Sequence, residues 1–183
     1  KALLNRIFAA IFACFFVWSA GKVITHYPGV SEETALLTLN FIIPGSWGFA
    51  PFVLWLVLVF TEKDALLGKK WFFGILFAIP LALMVYQWTT DGILGYAKRD
   101  FGWGLAWKPG WGALFLKGYI SIVLAASLAL LFHFRSRTNS PLKKKQAGIM
   151  ALCSLGGFLL GFATNLFSLK ISTRYLPDSA HTF

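Results

Sequence analysis

Asn40 to Thr61 reads NFIIPGSWGFAPFVLWLVLVFT. The stretch carries no charge and is long enough, at about 20 residues, to cross a bilayer as a helix. Its first half holds Pro44, Gly45, Ser46, Gly48 and Pro51, whereas its second half is smooth and stops at the charged run EKDALLGKK. A proline inside a helix removes one backbone donor and crowds the carbonyl one turn back. The first half is therefore expected to kink or unwind at Pro44, Gly45, Gly48 and Pro51, which become candidate hinge residues. In hydrocarbon a carbonyl left without its donor must find a partner among neighbouring helices or trapped water. This segment consequently belongs inside a bundle and not alone in lipid.

The rest of the chain agrees with a membrane setting. Of its 183 residues 57% are hydrophobic, and only 13% are charged. Such a balance is foreign to soluble domains and typical of integral membrane proteins. Five apolar segments are expected to span: 7–25, 35–61, 71–89 (interrupted by Pro80), 111–134 and 146–168. The expected fold class is therefore all-α, a polytopic transmembrane helical bundle in a single domain over 1–183.

The net charge of +10 lies between the apolar runs and forms no basic face, which argues against a nucleic-acid partner and for anionic lipid headgroups. Lys1, Arg6, Lys63, Lys69, Lys70, Arg135, Arg137, Lys143, Lys144 and Lys145 fall on one set of loops. Lys22, Lys98, Arg99, Lys108, Lys170 and Arg174 fall on the other. The richer set, with RSRTNSPLKKK as its strongest element, is assigned to the cytoplasm. Five spans then leave Lys1 inside and Phe183 outside. Cys14 and Cys153 both sit in apolar runs and form neither a metal nor a redox pattern.

One outer connection is long. Residues 90–110, TDGILGYAKRDFGWGLAWKPG, carry Tyr96, Phe101, Trp103 and Trp107, with Trp111 just beyond. These rings suit an aromatic belt at headgroup level; the alternative is a lid or wall for a small apolar or lipid-like ligand. Polar groups also lie at membrane depth: Asn40, Ser46 and Trp47 on the second segment, Gln87 on the third, Lys117 on the fourth and Asn165 on the fifth. Of these Trp47, Gln87, Lys117 and Asn165 join Trp103, Trp107 and Trp111 as the candidate ligand site. An intramembrane ionisable group marks function by default, although Lys117 is shallow enough to extend its stem to the interface. Asn165 with Thr164 suits interhelical hydrogen bonding. Gly157 and Gly161, reinforced by Gly156, suit close helix packing within the bundle or a homodimer seam. Trp18, Trp55, Trp71 and Trp88 read as interface anchors.

No chemistry is apparent. The acids all lie in loops or at helix ends, none pairs with a histidine at ligand spacing, and there is no nucleophile elbow or phosphate loop. No catalytic residue, metal or cofactor is expected in this chain.

Four stretches resemble the N-terminal seven-helix membrane region of bacterial sensor histidine kinases, a module also found ahead of diguanylate cyclase domains. NRIFAAIFACFFVWSAG (residues 5–21) is similar to its second helix, and PGSWGFAPFVLWLVLVFTEKDALL (44–67) to its third helix and the inner loop. KKWFFGILFAIPLALMVYQWTTDGI (69–93) is similar to its fourth, and LGGFLLGFATNLFSLKISTRYLPD (155–178) to its sixth and the outer loop that follows. The resemblance implies an internal piece of that module, lacking the first and last helices. It implies sensing, with the phosphoacceptor histidine and ATP-binding domain elsewhere. The expected function is thus a membrane-embedded input module in the bacterial cytoplasmic membrane that relays a cue to a cytoplasmic output domain. A small transporter or channel subunit is the alternative, since interrupted helices serve there too.

Overall fold

The computed structural model describes residues 2–27, 29–99 and 102–156. In order these form α1 (Ala2–Thr25), α2 (Glu32–Phe60), α3 (Asp64–Leu67), α4 (Lys70–Thr90), β1 (Leu94–Arg99), β2 (Gly102–Trp107) and α5 (Trp111–Arg137). A last helix, α6, covers 141–156. The chain divides into two compact units, Lys1–Leu130 and Leu131–Phe183.

Four helices (α1, α2, α4 and α5) are long and apolar enough to span a membrane. They coincide with the first four expected segments. The fifth, 146–168, begins within α6 and continues outside the described residues, where the packing glycines Gly157 and Gly161 also lie.

In the first unit α2 is the central rod. Of its most apolar window 56% is buried, against 17–28% for the corresponding windows of α1, α4 and α5. It starts at Ser31, whose hydroxyl accepts the Thr34 N–H at 3.3 Å, and Glu32 and Glu33 in the first turn complement the helix dipole. It ends at Thr61, after which Glu62 adopts φ 57° and the Lys63 N–H reaches the Leu58 carbonyl at 3.0 Å. That is a left-handed stop of the Schellman type, built here on a non-glycine residue.

The prolines of α2 do not interrupt it: residues 32–60 remain one α-helix. Of the expected kink or unwinding, the unwinding does not occur, and the reason is local. Pro44 leaves the Asn40 carbonyl without its helical donor, and the Trp88 indole Nε1–H of α4 donates to that oxygen at 3.3 Å. Pro80 in α4 likewise frees the Leu76 carbonyl, which accepts the buried Tyr119 hydroxyl of α5 at 2.6 Å. At Pro44 and Pro80 the freed acceptor is thus served from another helix, which offsets the cost of those two prolines.

The glycines of α2 have a packing role. A Cβ on Gly45 would lie 2.6 Å from the Cys14 carbonyl oxygen and 3.2 Å from the Trp18 nitrogen, both backbone atoms of α1. Gly48 faces the Cys14 sulfur, 3.8 Å from where a Cβ would stand. Gly21 of α1 returns the arrangement, leaving room for Ile42. Lipid tails match apolar side chains in character, so helices in a bilayer associate by such close backbone approach. The rings of Phe15 and Phe49 meet beside this contact at 4.6 Å.

Two core clusters follow. Near the hairpin, Ile43, Trp47, Met84, Ile93, Leu94, Ala113 and Leu116 pack together. Further along the helices Ala50, Leu54, Leu58, Leu76, Tyr119 and Val123 form a second cluster. An aromatic seam flanks it, with Phe52 against Phe77 at 5.0 Å and Trp55 against Phe73 at 5.3 Å. Trp55 therefore joins α2 to α4 in addition to any role at the interface.

The connection 90–110 is not an irregular loop, and the fold is correspondingly not purely α. β1 and β2 pair antiparallel from Leu94↔Trp107 to Arg99↔Gly102. Gly102 has φ 113°, and a Cβ there would collide with the Thr25 carbonyl and the His26 backbone, so the hairpin rests on the end of α1.

In the second unit, α5 ends at Arg137, and Ser140 caps α6 by accepting the Lys143 N–H at 3.4 Å. Pro141 occupies the first helical position, where no donor is required. The Arg135 guanidinium lies across Gly148, 3.3 Å from where a Cβ would stand.

Candidate functional site at the hairpin end of the bundle

The hairpin is joined to α4 through one side chain. Gln87 is fully buried, and its Oε1 accepts the N–H groups of Ile93 (2.9 Å) and Leu94 (2.7 Å). Its Nε2 donates to the Leu94 carbonyl at 3.1 Å and to Asp91 Oδ1 at 3.2 Å. A primary amide has two acceptor sites and two donor hydrogens, and all four are engaged. Gln87 holds the hairpin root and retains no capacity for a ligand. Asp91, at φ 50°, ends α4 and turns the chain toward that root. The Lys108 N–H continues the ladder to the Ile93 carbonyl at 3.0 Å.

Trp47 is 3% exposed and belongs to the core cluster beneath the hairpin, together with Ile93 and Leu94. Leu105 and Trp107 of β2 pack on the same cluster. Hairpin, α2, α4 and α5 thus meet around Trp47. Trp103 lies opposite Lys98 in the ladder, with the ammonium 5.8 Å from its ring centre. Trp107 carries the ammonium of Lys117 4.4 Å above its ring, a cation–π geometry. Trp111 is 86% exposed at the start of α5. Together with Lys108, Pro109, Gly110, Leu114 and Lys117 it borders an open groove of about 410 Å³.

The sequence-predicted residues therefore separate. Trp47 and Trp107 share the core cluster, Lys117 links Trp107 to the groove, and Trp111 borders that groove. Gln87 sits at the hairpin root, and Trp103 lies farther along β2. Asn165 lies outside the described residues. Lys108, Lys98, Trp88 and Tyr119 were not singled out as site residues. The position four residues before each helical proline was a usable signal for the acceptors of Trp88 and Tyr119, but not for which helix would supply the donor. Among the described residues no three His, Cys, Asp or Glu side chains come together as metal ligands would.

A family model described as the N-terminal 7TM region of histidine kinase matches residues 2–178. No curated protein and no solved structure matches the chain. The family match spans nearly the whole sequence, and the long apolar helices fit the membrane setting it describes. This chain is a multi-pass integral membrane protein and belongs to the family of N-terminal seven-transmembrane regions of histidine kinases.

Proposed function

We propose that this chain is the signal-input module of a two-component sensor histidine kinase, passing an outer-side or lipid-phase cue to a cytoplasmic output domain. One observation carries the reading. Consecutive residues of α4 hold both ends of a mechanical link, since Gln87 grips the hairpin root and Trp88 grips α2 at the Asn40 carbonyl freed by Pro44. A cue that displaces the hairpin at the outer face acts on α4, and α4 acts on the proline-bearing centre of α2. Two packings of these helices, biased by a cue, would form the switch. The candidate contact surface is aromatic and cationic, formed by Trp103, Trp107, Trp111 and Lys117. It suits a small apolar or lipid-like ligand with an acidic part.

The test uses the full-length protein with its own output domain in cells. An interhelical hydrogen bond is worth about 0.6 and at most about 1.7 kcal/mol, so its loss shifts a two-state equilibrium by about 3- to 18-fold. Trp88→Phe removes the donor and keeps the ring. It should change cue-independent output within that range at unchanged membrane abundance. Pro44→Ala with Pro51→Ala should hold the output in one state. Normal output and normal cue response in both variants would refute the relay. Solute flux through reconstituted protein would support the transporter reading in its place.

A further inference from the structure

The groove beside α5 contains two cations and no acid. Among the described residues neither Lys108 nor Lys117 is paired with a carboxylate, and none lines the groove. Both stems are held in place. Lys108 lies across Gly95, its Cε 3.2 Å from where a Cβ would stand, so its stem passes close over β1. Lys117 is held over the Trp107 ring. The remaining walls are apolar and outward-facing, with Trp111 86% and Leu114 62% exposed. Phe115, 58% exposed, continues this surface along α5, a helix suited to spanning the bilayer. Lys117 is six residues into α5, about 9 Å along its axis at about 1.5 Å per residue. The groove therefore has two ammonium groups at the level of the headgroups and a greasy side open to acyl chains. At the headgroup level an anionic phosphate is the available counter-charge for the two ammonium groups.

We infer that this groove is a binding site for an anionic phospholipid, with the lipid phosphate between Lys108 and Lys117 and the acyl chains along Trp111, Leu114 and Phe115. The lipid is a resident of the site, and the assignment does not depend on what the cue is. Anionic lipid is favoured over zwitterionic lipid because two lysines border the groove and, among the described residues, no carboxylate lines it to meet a choline.

The intact protein is reconstituted with phosphatidylglycerol carrying a photoactivatable diazirine near the glycerol, and crosslinked peptides are mapped by mass spectrometry. Wild type should be labelled within residues 107–117, more strongly than with the matching phosphatidylcholine probe. Lys108→Gln with Lys117→Gln should lower that labelling by about 30-fold, and Lys108→Arg with Lys117→Arg should preserve it. Labelling elsewhere on the protein serves as the folding control and should stay unchanged in both variants. Equal labelling in the glutamine variant would overturn the site, as would equal labelling by the two lipids. Loss of labelling in millimolar inorganic phosphate would reassign the groove to a soluble anion and overturn the lipid.

Discussion

Trp88 on α4 donates its indole N–H to the carbonyl oxygen of Asn40 on α2, the one acceptor that Pro44 cannot serve. A proline usually marks a helix as weak. Here it frees one carbonyl from its helical donor at a fixed place, and a second helix supplies a donor there. In water the vacancy would be hydrated at little cost, whereas in hydrocarbon it requires a protein donor. The interruption thereby becomes an interhelical bond, with a direction and a register that apolar packing alone does not specify.

The first prediction is a double-mutant cycle on that bond. Trp88→Phe should destabilise the bundle by about 0.6 to 1.7 kcal/mol. Pro44→Ala restores the helical donor to the Asn40 carbonyl, so Trp88→Phe should cost close to nothing in that background. Unfolding by denaturing detergent, followed by circular dichroism, measures all four variants. Equal costs of Trp88→Phe with and without Pro44 would show that the indole acts through its ring alone.

The same logic applies to Tyr119 and Leu76, at a shorter distance and in a buried setting. Tyr119→Phe should cost about 1 to 2 kcal/mol, toward the upper end of interhelical hydrogen bonds. Pro80→Ala should absorb most of that loss. The two cycles should be additive, since Trp88–Asn40 and Tyr119–Leu76 share no partner. Strong non-additivity would mean that α2, α4 and α5 move as one body when either bond breaks.

Gln87 predicts a local effect. Gln87→Leu would leave two N–H groups and a carbonyl of the hairpin root without partners, each costing about 1 to 3 kcal/mol if it stayed buried. The hairpin should detach before that full cost is met. Hydrogen exchange at Ile93 and Leu94 should rise sharply in the variant, with α2 and the middle of α5 unaffected. Unchanged exchange at both amides would show that the root is held by the Trp47 cluster without the amide.

These residues also show what could be read from sequence and what could not. The first four spans were legible because each is a long, predominantly apolar run with charge near its ends, and hydrocarbon thickness fixes its length. The requirement for a donor at the Pro44 gap was legible too, because Pro44 states which carbonyl is freed. That Trp88 would supply the donor was not, since the pairing is 48 residues away and depends on how α4 is rotated. The hairpin was hidden for another reason. Gly95, Gly102 and Gly104 blur the alternation that announces a strand, and the pairing is anchored from outside by Gln87. Gln87 itself drew attention as a polar group at membrane depth. Its partners turned out to be the backbone of the next element and not a ligand.

The last prediction separates glycines that permit contact from glycines that do not. Gly45→Ala would place a methyl 2.6 Å from the Cys14 carbonyl, against backbone that cannot rotate away, so α1 has to shift off α2. Overpacking of this kind costs about 1 to 3 kcal/mol. Gly74 and Gly118 lie in α4 and α5 with nothing within 4 Å of an added Cβ. Alanine at either should be neutral or stabilise by up to about 1 kcal/mol through helix propensity. If Gly45 were chiefly a hinge, Gly45→Ala would stiffen α2 and alter signalling while leaving stability intact. If it is chiefly a contact, stability falls first, and a cysteine pair across α1 and α2 crosslinks less efficiently in the variant. Measuring unfolding and crosslinking on the same three alanine variants distinguishes the two, because only the contact role predicts that Gly45 departs from Gly74 and Gly118 in both.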